Sequence, residues 1–440
     1  MQRSLKLFIK YVSLNMLGML GISFYILADT YFIAQALGSA GIAALNLSIP
    51  VFGIMHGFGL MMGLGGATRY KILQSQNRHE RAGNVYSQTL LFAVSLGLVF
   101  LLVGQFGTEA IARFSGADAE TFASTSIYLK TILSFAPFFI LNNTLLSFVR
   151  NDGDPTLAMF GMVIGSVLNV VLDYIFIFPL QMGMFGAALA TSLSPVISLS
   201  VLAVHYFKPL NNLTFTFQKI EKRLVQDVTY LGASAFVNEI SGSVVMFTFN
   251  TLIFSLEGND GLAAYGIIAN ISFVVLSLFA GVAQGTQPLL SESYGLKDLK
   301  QMKQVLTLSL GTALILSAVI YAGTNLSSEF IIQAFNTDQD AHIAGMAARG
   351  LFIYFIGFFF AGLNTVLTSY FSATDQPNRA LFFSLLRGGF IIVPLVLVLS
   401  HFYGMTGVWT SFVVAEALVL GLISWKVNPS RRVKRKKIVH

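Results

Sequence analysis

Two acidic residues lie inside long apolar segments, where an ionised side chain is stable only if water, a partner or a proton relieves its charge. Asp29 occurs in FYILADTYFIAQALG, and Asp173 occurs in VLNVVLDYIFIFPL. Two neighbouring carboxylates at low dielectric share a proton readily, because like charges there disfavour ionisation of both. Their oxygens are also the ligands that small hard cations prefer. Asp29 and Asp173 are therefore candidates for proton exchange or cation binding.

The composition of the chain predicts a polytopic membrane protein. Of its 440 residues, 55% are hydrophobic and only 11% are charged, and the mean hydropathy is +0.72. A soluble domain keeps about a quarter of its residues charged, so this chain lacks the polar side chains that a large water-facing surface needs. Apolar runs of about 20 residues, the length that crosses about 30 Å of hydrocarbon, predict an all-α fold with twelve transmembrane helices. The predicted helices cover residues 7–36, 41–68, 85–106, 125–149, 157–181, 184–207, 228–256, 261–290, 304–325, 345–371, 380–401 and 405–426.

Arginine and lysine are concentrated at both ends of the chain and in every second loop. These basic residues are Arg3, Lys6, Lys10, Arg69, Lys71, Arg78, Arg81, Lys208, Lys219, Lys222, Arg223, Lys297, Lys300, Lys303 and the run RRVKRKK from Arg431. The intervening loops are mainly acidic, with residues such as Glu109, Asp118 and Asp338. Since cationic loops stay on the cytoplasmic side, both termini are predicted to be cytoplasmic in the plasma membrane, the inner membrane of a prokaryote. The net charge of +7 is then explained by topology and by contact with membrane lipids, not by nucleic-acid binding.

Several short motifs recur at a separation of about 221 residues, which indicates an internal duplication. The pairs are ADT at 28–30 with FNT at 249–251, GIAA at 41–44 with GLAA at 261–264, Gly59 and Gly63 with Gly281 and Gly285, DP at 154–155 with QP at 376–377, and GMFG at 183–186 with GMTG at 404–407. Six helices return the chain to its starting side, so the two lobes have the same topology and are related by a pseudo-two-fold axis along the membrane normal. The predicted lobes are residues 1–210 and 211–440, the second with a basic cytoplasmic tail. Two such lobes around a central cavity favour a transporter that works by alternating access.

The helix positions predict that four polar side chains of the first lobe share one level. Helix 1 ends near Leu37, which leaves Asp29 about 12 Å below the outer surface at 1.5 Å per residue. Asp173 on helix 5 and Thr191 on helix 6 reach the same depth. Asn169 precedes Asp173 by four residues and therefore lies on the same face of helix 5. The cluster is suited to holding a proton, or a small cation such as Na⁺, between oxygen ligands.

At these motifs the chain resembles the multidrug and toxic compound extrusion (MATE) transporters. The resemblance extends from LADTYFIAQALG through SIPVFGIMHGFGLMMGLGGATRYKI and RNDGDPTLAMFGMVIGSVLNVVLDYIFIF to AYGIIANISFVVLSLFAGVAQGTQPLLSESYG. It implies export of organic cations, drugs or other amphipathic compounds by a monomer, driven by inward H⁺ or Na⁺ and without a further cofactor. It also implies that the positions matching Asp29, Asn169, Asp173 and Thr191 form a cation or proton site.

The second lobe lacks a matching pair of carboxylates. Asn250 stands at the position of Asp29, and Leu395 stands at the position of Asp173. Glu239, near the middle of helix 7, resembles the helix-7 glutamate of one MATE branch, but helix 10 has no acidic residue to pair with it. Glu239 is predicted either to attract cationic substrates or to fasten helices. Further candidates for the substrate cavity are Asn250, Asn142 and Asn143.

Three further candidate residues are ionisable and lie within predicted helices. Arg387 and Glu416 are at similar depth on adjacent antiparallel helices, and a lone arginine in hydrocarbon is costly, so the two are predicted to form a structural ion pair. His56 lies at mid-membrane on helix 2 and titrates near neutral pH when free. A hydrogen-bonded histidine within the helix packing is the favoured interpretation.

Other classes of function agree less well with the sequence. The chain has no cysteine, and GLGGATRYK lacks the ending of a phosphate-binding loop, so thiol chemistry and ATP hydrolysis are excluded and no enzyme is predicted. An intramembrane aspartyl protease would leave the duplication without a role, and so would a passive channel. A lipid-linked oligosaccharide flippase of related architecture is the nearest alternative, although only Arg387 is clearly available for a pyrophosphate group.

Overall fold

The computed structural model describes residues 2–216, 219–335 and 340–427, and these residues form helices joined by short loops, with no β-strand among them. The basic tail from Arg431, Asp338 and the side chain of Arg3 lie outside the described part of the chain. In the first half, the helices are Gln2–Ser75 (spans 1 and 2), His79–Phe106 (span 3), Phe122–Ser134 with Ala136–Asn151 (span 4), Pro155–Ile177 (span 5) and Gly183–Leu202 (span 6). A short helix, Thr108–Phe114, follows span 3, and a 3₁₀ turn, Ala203–Phe207, follows span 6.

The second half repeats this order of elements. Its helices are Lys222–Gly295 (spans 7 and 8), Leu299–Leu326 (span 9), Ala341–Tyr354 with Gly357–Ala373 (span 10), Pro377–Leu385 with the first part of Ile392–Val427 (span 11), and the remainder of Ile392–Val427 (span 12). A short helix, Ser328–Phe335, follows span 9, and the π-helical segment Leu386–Phe390 lies within span 11. The prediction of an all-α protein with twelve transmembrane helices is confirmed.

Three glycines divide the longest helices into separate spans. Gly38 has φ 63° and ψ −152°, Gly258 has φ 60° and ψ −141°, and Gly404 has φ 55° and ψ −137°. Residues with a side chain rarely adopt this conformation, whereas glycine adopts it without a steric penalty. Gly183, at the start of span 6, also has a positive φ of 55° and corresponds to Gly404 in the repeat. The internal duplication is therefore present in the backbone as well as in the sequence.

Spans 4 and 10 are both bent, again at corresponding places in the two halves. The two helices of span 4 meet at 51°, and those of span 10 meet at 46°. Pro137 lies in the first turn after the bend of span 4, where its missing N–H is not needed. Span 10 bends between Tyr354 and Gly357 without a proline, within the single helix predicted over residues 345–371.

The two halves are packed closely at the membrane face that holds the start of span 1, the end of span 12 and the loop between spans 6 and 7; we call this the basic face. A Cβ atom on Gly232 of span 7 would lie 1.9 Å from the Met61 carbonyl oxygen of span 2. A Cβ atom on Gly65 would lie 2.1 Å from the Val228 carbonyl oxygen. Spans 1 and 8 also meet closely, since a Cβ atom on Gly285 would lie 2.9 Å from Val12 Cα. Glycine is needed at these crossings because backbone atoms of the partner helix occupy the space of a side chain.

Polar groups close the same face between the halves. Arg69 Nε lies 2.6 Å from Asp227 Oδ2, and Arg69 Nη2 lies 2.9 Å from Asp375 Oδ1. Lys71 Nζ lies 3.3 Å from Glu292 Oε2. Further hydrogen bonds across this boundary join Asn151 to Gln287, Gln287 to Thr68, Arg150 to Gln284 and Asn15 to the Gly281 carbonyl. The halves are thus joined by charge pairs and hydrogen bonds in addition to helix packing.

The loop between the halves is attached to the first half through a buried aspartate, Asp152. Its carboxylate accepts hydrogen bonds from the Tyr70 hydroxyl at 2.6 Å and the Asn212 backbone N–H at 2.8 Å, and its Oδ2 lies 2.8 Å from His205 Nε2. Burial alone would raise the pKa of Asp152, but these hydrogen bonds outweigh it and lower the pKa. A carboxylate stabilised in this way fixes the start of the connecting loop.

Candidate functional site

The polar residues predicted to share one level of the first half are all buried there. Asp29 of span 1 is 6% exposed, Asn169 and Asp173 of span 5 are each 0% exposed, and Thr191 of span 6 is 4% exposed. Span 5 begins at Pro155, where the preceding Asp154 side chain accepts a hydrogen bond of 3.1 Å from the Leu157 N–H. This cap fixes the start of the helix that carries Asn169 and Asp173.

Small residues bring span 6 close to span 5. A Cβ atom on Gly165 would lie 3.2 Å from the Ser194 carbonyl oxygen, and the Ser194 hydroxyl donates a hydrogen bond of 3.0 Å to the Gly165 carbonyl. Close packing of this kind is typical of helix pairs in membranes. It places Thr191 beside the polar residues of span 5.

The hydrogen bonds in this cluster are few for its number of polar atoms. With its amide oxygen toward span 6, Asn169 donates to Asp173 Oδ2 at 3.2 Å and accepts from the Thr191 backbone N–H at 3.2 Å. Within the described residues, neither Asp29 Oδ1 nor Asp173 Oδ1 has a hydrogen-bond partner. The two carboxyl groups are also close enough to interact electrostatically. Buried carboxylate oxygens normally have partners, so a shared proton or a small cation would complete this arrangement.

Two tyrosines belong to this environment and were not predicted from the sequence. Tyr25 precedes Asp29 by one helical turn and interacts electrostatically with Asp29 and Asp173. Tyr128 of span 4 is 5% exposed, interacts with the same carboxylates, and has its hydroxyl near that of Thr191. The spacing of four residues between Tyr25 and Asp29 is a signal that the sequence contains, whereas the position of Tyr128 depends on how span 4 packs.

Glu239 meets His56 across the boundary between the halves. Glu239 Oε1 of span 7 lies 3.2 Å from His56 Nδ1 of span 2, and the side chains are 34% and 27% exposed. The His56 ring stacks on Phe52, with ring centres 5.8 Å apart and an angle of 13° between the rings. Phe236 of span 7 packs on Phe58 of span 2, with ring centres 4.6 Å apart. The sequence analysis predicted neither partner for the other, because the two helices belong to different halves.

The three asparagines predicted to line the cavity differ in their surroundings. Asn143 packs against the glycine face of span 2, where its Nδ2 atom lies 3.0 Å from the position of a Cβ atom on Gly59. Asn142 Oδ1 is buried and has no hydrogen-bond partner within the part of the chain that the structure describes. Asn250 is partly buried and lies about 16 Å from Glu239 along span 7, at 1.5 Å per residue. Asn143 therefore contributes to helix packing, and Glu239 and Asn250 lie at different levels.

Arg387 and Glu416 form an ion pair with further hydrogen bonds in the second half. Arg387 Nε lies 2.6 Å from Glu416 Oε1, and the side chains are 14% and 6% exposed. Arg387 also donates to the Thr365 hydroxyl at 2.8 Å, while Asn364 donates to Glu416 Oε2 at 2.7 Å. Arg387 lies in the π-helical segment Leu386–Phe390, a local irregularity that the sequence did not indicate. Each charge thus has a partner and additional hydrogen bonds, as a stabilising role requires.

Removing one member of this pair is expected to destabilise the protein more than removing both. Arg387→Met or Glu416→Leu alone leaves a buried charge without its partner, which costs about 3–5 kcal/mol in the free energy of unfolding. The double variant leaves no charge and is expected to regain most of that stability. Thermal unfolding in detergent measures the effect, and a double variant as unstable as the single variants would contradict a structural ion pair.

Comparison with known proteins gives consistent matches over nearly the whole chain. The family model MatE matches residues 15–175 and 235–398. The multidrug export protein MepA of Staphylococcus saprophyticus is 29% identical over 405 residues, which cover 92% of this chain and 89% of that protein. MepA of Staphylococcus aureus, strain NCTC 8325, is 29% identical over 410 residues with the same coverage.

Solved structures share the fold. An outward-facing conformation of a multidrug resistance MATE family transporter of the MOP superfamily aligns with a TM-score of 0.90 and 23% identity, covering 99% of this chain and 97% of that one. A MOP superfamily transporter from Pyrococcus furiosus, whose binding pocket is described as having reverse polarity, aligns with a TM-score of 0.88 and 23% identity over 95% of this chain and 94% of that one. At this identity the two structures support the arrangement of helices.

Proposed function

Because the chain belongs to the MatE family, we propose that it is a secondary antiporter that exports drugs, organic cations or other amphipathic compounds in exchange for inward H⁺ or Na⁺. Membership of this family confirms the predictions of a MATE resemblance and of a multi-pass membrane transporter that is not an enzyme. The multidrug export proteins among its relatives support small organic substrates. The observation that carries the proposal is the buried cluster of Asp29, Asn169, Asp173 and Thr191, with carboxylate oxygens that lack partners among the described residues.

This cluster is the proposed coupling site. A proton on one carboxyl group would remove the repulsion between Asp29 and Asp173 and supply a hydrogen-bond donor. A Na⁺ ion would instead be bound by the carboxylate oxygens, the Asn169 amide oxygen and the Thr191 hydroxyl, which are hard oxygen ligands. Both ions satisfy the same atoms, so the coupling ion has to be identified by experiment.

Transport is proposed to proceed by rocking of residues 1–210 against residues 211–440. The basic face would be cytoplasmic, since cationic loops remain on that side. In the present structure the hydrogen bonds and ion pairs between the halves run from His56 and Glu239 to the basic face. This arrangement is consistent with a state that is closed toward the cytoplasm, and opening of the same contacts would give the opposite state. The active unit is proposed to be a monomer in the plasma membrane, the inner membrane of a prokaryote, surrounded by lipid.

Transport of a fluorescent cation tests the proposal directly. Purified protein is reconstituted into liposomes, and ethidium transport is recorded under an imposed Na⁺ gradient and, separately, under a pH gradient. Uphill movement under one gradient establishes antiport and identifies the ion. The absence of transport under both would contradict the proposal and favour the lipid-linked oligosaccharide flippase, although Arg387 is already paired with Glu416 and offers little free charge to a pyrophosphate.

Glu239→Gln is expected to weaken transport of cationic substrates more than that of neutral ones. Glu239 is 34% exposed between the halves, so its charge reaches a bound cation. Loss of one partly exposed charge contact is worth about 1 kcal/mol, or about fivefold in affinity. Competition of a neutral and a cationic compound against ethidium measures the difference, and equal effects on both would remove the electrostatic role of Glu239.

A further inference from the structure

The His56 imidazole of span 2 and the Glu239 carboxylate of span 7 meet between the two halves, at the middle of their helices. His56 lies about 27 Å from Gly38 along span 2, and Glu239 lies about 28 Å from Gly258 along span 7, at 1.5 Å per residue. Asp29 is only about 13 Å from Gly38. The pair is thus about 14 Å deeper than the coupling cluster, and the closed contacts of the basic face begin just beyond it.

The His56–Glu239 pair is more exposed than the Arg387–Glu416 ion pair. The side chains of His56 and Glu239 are 27% and 34% exposed, whereas those of Arg387 and Glu416 are 14% and 6% exposed. Arg387 and Glu416 also have several further hydrogen bonds, which hold them in place. Glu239 is therefore able to exchange one cationic partner for another, while Glu416 is held by its network.

We propose that protonated His56 and the cationic substrate compete for Glu239, so that His56 is an internal counter-ion that favours release of the cation when the site becomes acidic. This inference rests on the proposed function and adds a specificity-determining residue to it. With neutral imidazole, the Glu239 carboxylate has an uncompensated negative charge that attracts an organic cation. When His56 is protonated, the pair has no net charge, and the organic cation has to displace the imidazolium from Glu239.

The pH dependence of this competition has the direction that export requires. When the site faces the cytoplasm at higher pH, His56 is neutral and Glu239 is free to bind the cation. When the site faces an acidic exterior, His56 takes up a proton and the cation leaves. The His56 ring stacks on Phe52, and this contact helps to hold it beside Glu239.

The charged and titratable groups near the pair are few. Span 7 presents Glu239 to His56, and the neighbouring Phe236 and Ser243 of that helix are uncharged. Phe52 stacks on the imidazole ring, Phe139 packs in turn on Phe52, and both are uncharged. Tyr25 is a further titratable group in this region, and it interacts electrostatically with Glu239 and with Asp29 and Asp173. Those two carboxyl groups contribute a pH dependence of their own, which the experiment has to separate.

Binding of tetraphenylphosphonium to the purified full-length protein in detergent tests the competition. For the wild type, the Kd is expected to rise about tenfold between pH 8 and pH 5.5, because histidine is the side chain that gains a proton over this range. In His56→Gln that increase is expected to be lost, leaving only the dependence due to Asp29 and Asp173. His56→Lys keeps a permanent cation beside Glu239 and is expected to bind weakly at both pH values.

The controls distinguish competition at Glu239 from general effects. His342→Gln removes another histidine paired with a glutamate, since His342 Nε2 lies 3.4 Å from Glu257 Oε2. This second pair lies at the membrane face opposite the basic face. The substitution is expected to leave the pH dependence unchanged. In a Glu239→Gln background, His56→Gln is expected to have no further effect, and this comparison stays informative if His56→Lys does not fold.

The outcomes separate this inference from the proposed function. If the wild type exports the cation but the Kd of His56→Gln depends on pH as that of the wild type does, the inference is overturned and the proposed function is not. Tight binding by His56→Lys at pH 8 would also overturn it. A wild type that neither binds nor exports the cation would overturn both the inference and the proposed function.

Discussion

Proteoliposomes that contain Asp29→Asn or Asp173→Asn are expected to lose nearly all gradient-driven export of ethidium. Each carboxylate is buried, and one oxygen of each lacks a hydrogen-bond partner among the described residues. An interaction with a charged group contributes about 1.5–3 kcal/mol, so the affinity for the coupling ion should fall about 10- to 100-fold. Without the bound ion, the gradient no longer drives the change between the two states.

Asparagine preserves the size of the side chain and adds a donor, so the variants are expected to fold. Asp260→Asn, an identical substitution at an exposed position near the outer end of span 8, is the matched control and should transport as the wild type does. Downhill movement of ethidium without a gradient shows whether the substrate path is intact. Transport at the wild-type rate by both variants would contradict the assignment of the coupling site.

The level shared by Asp29, Asp173 and Thr191 was predictable because it depends on distances along single helices. Apolar runs locate each helix, and a rise of 1.5 Å per residue gives the depth of every side chain. The i, i+4 spacing of Asn169 and Asp173 places them on one face. The same reasoning predicted that Arg387 and Glu416 lie at one depth, and in the structure Arg387 Nε lies 2.6 Å from Glu416 Oε1.

Contacts between elements that are distant in the chain were not predictable in this way. His56 and Glu239 meet only because the halves adopt a particular relative position, which no local pattern specifies. Tyr128 approaches Asp29 and Asp173 from span 4, whose two helices meet at 51°. Asn364 reaches Glu416 from span 10, which bends without a proline. A single sequence indicates which residues are at the same depth, but the packing of helices decides which of them touch.

Gly232→Ala is expected to open the contact between the halves at the basic face. The added Cβ atom would lie 1.9 Å from the Met61 carbonyl oxygen, and neither is at the end of a flexible side chain. Overpacking of this kind costs about 1–3 kcal/mol. Spans 2 and 7 have to move apart, so the equilibrium should shift about 5- to 150-fold toward the state open at this face. Export should fall accordingly, because the closed state becomes rare.

Cysteine labelling measures this shift, since the natural chain has no cysteine. Thr68 is fully buried and accepts a hydrogen bond of 2.6 Å from Gln287 of the other half, so Thr68→Cys reports separation of the halves. A membrane-impermeant maleimide should react slowly with this cysteine in the parent protein and much faster when Gly232→Ala is added.

The matched control is Gly242→Ala, ten residues further along the same helix, where an added Cβ atom meets nothing within 4 Å. Because both substitutions have the same effect on helix propensity, any difference between them arises from the contact with span 2. Equal labelling rates and equal export in the two variants would mean that the Cβ atom added at Gly232 does not destabilise the contact between spans 2 and 7. The closed contact at the basic face would then not limit the change between states.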